Sequence, residues 1–471
     1  MEMAGLRQES SVDYRRLMGL KRGVLEELAK TVLAAPSERR EVFRRYVDGH
    51  PDLDSYARFR ATVETRKELW PQWPAQLLEQ PLPENEFDAR ARDYHLYCQW
   101  IAEEQMALLA GQARAAGPGL YLDLPLGVHP GGFDVWRQPD VFALGVAGGA
   151  PPDRFFTSGQ DWGFTPQHPE NISGQGYGHF IACLRHHLRH AGVLRIDHVM
   201  GLHRLYWIPK GMDARQGTYV QYRPQEFYAI LTLESCRHEA VIVGEDLGTV
   251  PKYVRGRMRE HGLKRMYVAQ FQCRPDAKAP LGAVPRNSVA GLNTHDMRPF
   301  AGFWKEFDIG DQFELGLLNE KDAQQDRLRR RYLKRALLEH FHFQEKQTSS
   351  EKFRSAQPGG EKDEGDAASG EDEDVRRVVA ACLSELASSE AEFLMINLED
   401  LWAETLAQNT PGTISERVNW RHKSRHGLED IRQIPRVVEL LRGINRLRRA
   451  RLENGNDAGN AMGRVEVAEK R

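Results

Sequence analysis

Apolar positions along this chain follow two regimes. From Val12 to Val32 and from Tyr94 to Ala115 they recur at helical spacing, so residues 12–115 read mostly as helix. A tryptophan- and proline-rich loop, Leu69-Trp-Pro-Gln-Trp-Pro74, lies between these stretches. From Gly119 the pattern shifts to short apolar runs bounded by loops, at 119–126, 193–199, 240–248, 265–271, 288–296 and 393–401. Such runs predict buried parallel strands. Helical spacing returns at 176–191, 223–238 and 251–262, and Ile431 to Arg451 predicts a basic amphipathic helix. Alternating strand and helix over this length predicts a parallel sheet, closed or doubly wound.

Three of these runs end in an acid: Asp197 in Val193-Leu-Arg-Ile-Asp-His-Val199, Glu245 in Ala240-Val-Ile-Val-Gly-Glu245, and Asp296 in Leu292-Asn-Thr-His-Asp296. A carboxylate at the carboxyl end of a barrel strand is poorly placed for stability and well placed for chemistry. Three at corresponding ends suggest glycosidic bond chemistry, which needs one carboxylate as nucleophile or base and another as acid. The plainer reading, salt-bridged strand ends, competes for any one of them taken singly.

The 471 residues, 41% of them hydrophobic, suffice for one large core. A barrel commonly takes about 250 residues or more, so one barrel with insertions fits the length better than three small domains. A net charge of -2 gives no field for nucleic acid or an anionic membrane. Five cysteines, Cys98, Cys183, Cys236, Cys273 and Cys382, lie scattered without metal or disulfide spacing, as in a cytoplasmic protein. Residues 1–14 do not form a signal peptide, and no run approaches the roughly 18 apolar residues of a membrane helix. His186, His187 and His190 have a helical spacing that could bind metal, but interleaved Arg185 and Arg189 and no acidic partner favour a solvated helix face. Gly148-Gly-Ala-Pro-Pro152 lacks the helix and lysine of a phosphate loop.

The motifs Leu122-Asp-Leu-Pro-Leu126, Gly149-Ala-Pro-Pro-Asp153, Gly159-Gln-Asp-Trp-Gly163, Arg195-Ile-Asp-His198, Gly244-Glu-Asp-Leu-Gly248, Thr294-His-Asp296 and Asn409-Thr-Pro-Gly-Thr413 stand in one order. Together they resemble the 4-alpha-glucanotransferases, also called amylomaltases or disproportionating enzymes, from about Val12 to Trp420. The resemblance implies an α/β fold of the (β/α)8 TIM-barrel type with inserted helical subdomains. It implies transfer of an alpha-1,4-glucan segment from a donor to an acceptor glucan or glucose by a retaining double displacement. Asp197 would be the nucleophile, Glu245 the general acid/base, and Asp296 a carboxylate gripping sugar hydroxyls. Arg195 would hold Asp197 ionised, His295 would bind a sugar hydroxyl, and Gln160, Trp162 and Asn409 would contact the glucan. No metal or organic cofactor is implied. Partners would be alpha-1,4-glucans and maltooligosaccharides, with no nucleic acid or membrane, and the chain a monomer or weak homo-oligomer. Met297 stands where the family more often has Asn, and Phe164-Thr165-Pro166 replaces the usual Asn-Pro.

The residues carry part of this chemistry themselves. Side chains alternate along a strand, so Arg195 and Asp197 share a face, and the guanidinium should lower the pKa of the carboxyl. The run Val241-Ile-Val243 makes the surroundings of Glu245 apolar, which should raise its pKa. Tyr206 and Trp207 could cover the site or pack the core. Six strands are predicted rather than eight, all after residue 118. The expected organisation is a mostly helical inserted subdomain at 1–118, barrel strands three to seven at 119–345, a disordered acidic insertion at 346–376, the last strand and a helix at 377–452, and a flexible tail at 453–471. The first two barrel strands would be missing by truncation. An alpha-glucan hydrolase and an inactive truncated fragment of the transferase are the alternatives.

Overall fold

The computed structural model describes residues 2–78, 81–153, 158–275, 278–348 and 370–468. Its chain forms two compact units, residues 1–264 and 265–471. The segment expected as a helical subdomain, 1–118, falls within the first unit.

Among the described residues the strands are β1 (Leu120–Leu124), β2 (Val146–Ala150), β3 (Gln160–Asp161), β4 (Ala191–Ile196), β5 (Arg204–Pro209), β6 (Thr218–Gln221), β7 (Val241–Gly244), β8 (Arg265–Val268), β9 (Ser288–Gly291) and β10 (Phe393–Leu394). After a short helix, Glu2–Gln8, the first unit has helices Tyr14–Ala34, Glu38–Asp48, Pro51–Arg66 and Ala89–Ala116. Side chains of Asp13, Ser37 and Asp88 accept backbone N–H groups and start three of them. Their apolar faces meet around Phe43, Ala57, Leu96 and Trp100. The Trp/Pro-rich loop folds back, so that Trp73, Leu77 and Leu82 pack with Phe59 and Trp136.

A parallel sheet of order β1-β4-β7 follows. Every residue of β4 is buried, as a continuous apolar run in a covered sheet requires. Helices Gly178–Leu188, Pro224–His238 and Lys252–Glu260 lie where helical spacing predicted them. Leu184, Leu231 and Met258 from these helices pack against Leu194 and Ile242 of the sheet.

A second sheet, antiparallel and of order β3-β2-β5-β6, was not predicted. It settles the reading of Tyr206 and Trp207. Tyr206 is buried and donates its hydroxyl proton to the Ala214 carbonyl, and Trp207 packs edge-on to His168. The histidine helix is also not wholly solvated: His190 is buried, with Nε2 3.1 Å from Glu103, so an acidic partner does exist.

The second unit holds a parallel sheet of order β10-β9-β8 over a core including Ala290, Phe300, Leu337, Leu383 and Trp402. Helices Glu320–Thr348 and Gly370–Ser388 flank the acidic insertion expected to be disordered at 346–376. Its central part, 349–369, lies outside the described residues. Its two ends are helical, which narrows the expected boundaries. Helix Pro435–Ala468 runs past Arg451 through most of the segment expected to be a flexible tail. The six predicted parallel strands lie within their predicted spans but are shorter, with helix Ala269–Gln272 ending β8 and a 3-10 turn, Leu398–Trp402, taking the second half of the last span, and among the described residues no strand precedes β1. No described helix is long and apolar enough to cross a membrane.

Candidate active site

Strands β4 and β7 run parallel, with Ile196 paired to Gly244. The next residue on each is an acid, Asp197 and Glu245, so two carboxyls leave the same end of neighbouring strands. The Glu245 N–H donates to the Ile196 carbonyl at 3.0 Å, and the Asp197 N–H to the Leu124 carbonyl of β1 at 3.1 Å.

Arg195 organises the first acid. It is buried on β4 and faces Asp123 across the β1 register. Its Nη2 lies 2.7 Å from Asp197 Oδ1, as strand alternation predicted, and its Nη1 lies 2.6 Å from Asp123 Oδ2. Burial works against the guanidinium charge. The hydrogen bond to Asp123 and the charges of Asp197, Asp123 and Glu245 override it, and the group is held protonated above its ordinary range.

Glu245 lives under the opposite condition. Burial pushes its carboxyl up to about 7, and the Asp197 charge adds to the rise. The Leu247 N–H and Arg195 oppose it. Its Oε1 accepts the Leu247 N–H at 2.6 Å, and its Oε2 accepts the His198 N–H at 3.1 Å. His198 can present that N–H because its backbone turns left-handed, φ 44°, directly after Asp197. Burial lowers the His198 ring to about 4, so it is neutral at neutral pH. Asp246 is buried and pairs with Arg255 at 2.9 Å, a structural role.

The loop after β3 supplies an aromatic wall. Trp162 stands edge-on to His198, with centroids 5.3 Å apart, and its Nε1 donates to Gln160 Oε1 at 3.4 Å. Phe164 stacks behind it at 15°. The Phe164 ring fills a slot between two glycines: a Cβ on Gly127 would lie 2.0 Å from it, and one on Gly148 2.1 Å.

The second unit carries its own polar group after β9. Asn409 Nδ2 donates to Asp296 Oδ1 at 2.7 Å, and His295 Nε2 lies 3.3 Å from Asp296 Oδ2. Asn293 anchors this loop by donating to Asp400 Oδ2 at 2.8 Å, while Asp400 Oδ1 accepts the Phe300 N–H at 2.6 Å. Asp400 is buried, and burial pushes it up to about 7 against those two hydrogen bonds.

The family model described as 4-alpha-glucanotransferase matches residues 1–428. The chain belongs to that family. The 4-alpha-glucanotransferase of Mycobacterium tuberculosis is 34% identical over 428 residues, covering 88% of this chain and 56% of the relative. That of Haemophilus influenzae is 33% identical over 447 residues, covering 90% and 61%. The chain thus spans little more than half the length of these relatives. Among solved structures, the amylomaltase of Corynebacterium glutamicum has a TM-score of 0.70 at 23% identity, covering 92% of this chain and 60% of the other. An amylomaltase of Streptococcus agalactiae, in complex with acarbose, has a TM-score of 0.70 at 18% identity, covering 93% and 80%. These likenesses show the fold, α/β of the (β/α)8-barrel type.

Within this chain the site residues predicted from sequence form two groups. Arg195, Asp197 and Glu245 come together in the first unit, with Trp162 against His198 and Gln160 bonded to Trp162. His295, Asp296 and Asn409 come together in the second. Sequence reasoning missed Asp123, His198 and Asp400. Asp123 sits in the motif Leu122-Asp-Leu-Pro-Leu126, and its signal is an acid at the end of the strand that neighbours β4. Asp400 has no local signal, because its burial comes from residues distant in sequence.

Proposed function

We propose that this chain is a 4-alpha-glucanotransferase that moves alpha-1,4-glucan segments from a donor to an acceptor glucan or glucose with retention. The observation that carries this reading is the pair of carboxyls on adjoining parallel strands in unlike surroundings. Asp197 is gripped by Arg195, and Glu245 is pushed up to about 7 by burial. Asp197 attacks the anomeric carbon while the glycosidic C–O bond breaks, and Glu245 gives its proton to the leaving oxygen. Glu245, now ionised, takes the proton of an acceptor 4-hydroxyl, which attacks the glycosyl-enzyme and frees Asp197. Asp296, His295 and Asn409 bind glucan hydroxyls, and Gln160 and Trp162 contact the chain of glucose units. Trp162 helps the intermediate outlast water by covering it with an apolar face. The substrates are alpha-1,4-glucans and maltooligosaccharides, and the chain works as a monomer or weak homo-oligomer. Five free cysteines support a cytoplasmic setting.

Maltotriose tests the reaction. Transfer gives glucose together with maltotetraose and longer oligomers. Maltose and glucose alone would make the chain a hydrolase, and no turnover would remove the activity altogether. Asp197→Asn should abolish transfer with the melting midpoint nearly unchanged, because it removes the nucleophile at almost constant volume.

A further inference from the structure

A second aromatic residue stands beside the Asp296 group, and neither the sequence motifs nor the proposed reaction uses it. Trp420 is 49% exposed, unusual for the largest apolar side chain. Its indole lies against the His295 ring, with centroids 5.7 Å apart and planes tilted by 42°. Its backbone is left-handed, φ 58°, a conformation that strains a non-glycine residue and persists only when its surroundings impose it.

The surroundings do impose it. Trp420 donates its N–H to the Gln408 carbonyl at 2.6 Å, which closes the loop 409–419 at its base. Asn419 ties the loop from within. Its Oδ1 accepts the Thr410 N–H at 3.0 Å, and its Nδ2 donates to the Thr413 carbonyl at 3.0 Å and the Thr413 hydroxyl at 2.9 Å. One end of this loop places Asn409 on Asp296, and the other places Trp420 on His295. A loop so tied holds a half-exposed indole in a strained pose. Core packing does not account for that, because much of the ring is left in water.

We propose that Trp420 is a glucan-stacking residue, its exposed indole being the platform for a glucose ring whose hydroxyls reach Asp296 and Asn409. A pyranose presents C–H groups on its faces and hydroxyls around its rim. An exposed indole beside a carboxylate, an amide and an imidazole matches both. The inference rests on the glucan-transfer reading, and it adds a binding residue to it.

The test uses the 471-residue chain, with maltoheptaose as the probe. Calorimetric affinity, transfer from maltotriose and the melting midpoint are measured for the unaltered chain and for Trp420→Ala, Trp420→Phe and Trp420→Gly. Removing the ring should weaken maltoheptaose about tenfold, and Phe should restore most of the loss. Trp420→Gly removes ring and backbone strain together. It should lose affinity while its melting midpoint holds or rises, which a purely structural tryptophan would not do. Unchanged affinity in Trp420→Ala, in a chain that does transfer glucan, overturns the stacking role and leaves the transferase reading standing. Affinity loss that tracks a falling melting midpoint and is not rescued by Phe also overturns it. An unaltered chain that neither binds maltoheptaose nor transfers glucan overturns both.

Discussion

Glu245 can act as an acid only if it keeps a proton near neutral pH, and its environment sets where that proton leaves. With the carboxyl at about 7, the protonated form dominates below that pH and is lost above it. The value of kcat/KM on maltotriose should therefore fall on the alkaline side with a midpoint near 7 and a slope of one proton. A limb near 4.5 instead would show that Glu245 is not the acid. Glu245→Gln should be inactive on natural glucans yet still form the glycosyl-enzyme from a donor whose leaving group needs no proton; equal loss on both donors would count against it. Asp123 has a subtler task. It holds Nη1 of the buried Arg195 while Nη2 holds Asp197. Asp123→Asn should lower kcat roughly 10- to 100-fold, the worth of one charge-assisted hydrogen bond of about 1.5–3 kcal/mol, with KM little changed. A change confined to KM would place Asp123 in substrate binding. Asp197, Glu245 and Asp296 were legible because each ends an apolar run. Asp123 was not, because its meaning depends on a register partner 72 positions away.

At the scale of elements, the parallel strands were legible because buried parallel strands are continuous apolar runs, and β4 is buried at every position. The antiparallel sheet was not. Its β2 reads Val-Ala-Gly-Gly-Ala, and β3 has two residues. Neither carries an apolar or alternating pattern, and pairing with β5 makes β2 a strand. Gly148 admits the Phe164 ring, and Gly149 the Gln160 carbonyl. Helix Gly370–Ser388 was hidden for a different reason. It begins Gly-Glu-Asp-Glu-Asp, which by composition reads as disorder, yet acids suit the positive end of a helix dipole. Asp372 also pairs with Lys305 at 2.5 Å. This helix meets Glu320–Thr348 through His340, whose Nε2 lies 2.9 Å from Glu385. Residues 349–369 between the two helices contain a single aromatic residue, Phe353, and dense charge. Such a segment brings little apolar area to a core, and loop closure depends weakly on length. Replacing it with a glycine-serine linker of about eight residues should shift stability by less than about 0.5 kcal/mol and leave transfer unchanged. A fall of several degrees in the melting midpoint would show that the segment packs.

For the molecule as a whole, the two units carry buried titratable groups of opposite kinds. In the first unit, burial lowers His95, His179, His186, His198 and His203, the last two to about 4. A histidine depressed in the folded state takes up a proton more readily when unfolded, so its stabilising contribution is lost as pH falls below about 6.5. Glu245 and Asp93 are raised by burial and act the other way, but they are outnumbered. In the second unit, the described residue with a large shift in this range is Asp400, raised from 3.8 to about 7. A raised carboxyl binds its proton more tightly when folded, so stability rises as pH falls from about 7 towards 4. A fully shifted group contributes at most about 1.4 kcal/mol per pH unit within its window, and a partly exposed one less. Acidification from pH 7 to pH 5 should therefore weaken residues 1–264 and strengthen residues 265–471. Hydrogen exchange read by mass spectrometry, corrected for intrinsic rates, separates the two by peptide. Protection should fall around β4 and β7 and rise around β9 and Leu398–Trp402. Asp400→Asn should abolish the second effect, because the amide does not titrate, while leaving the first untouched. Parallel loss in both units on acidification, or a gain around β4, would refute the assignment of these groups as the source of the pH response.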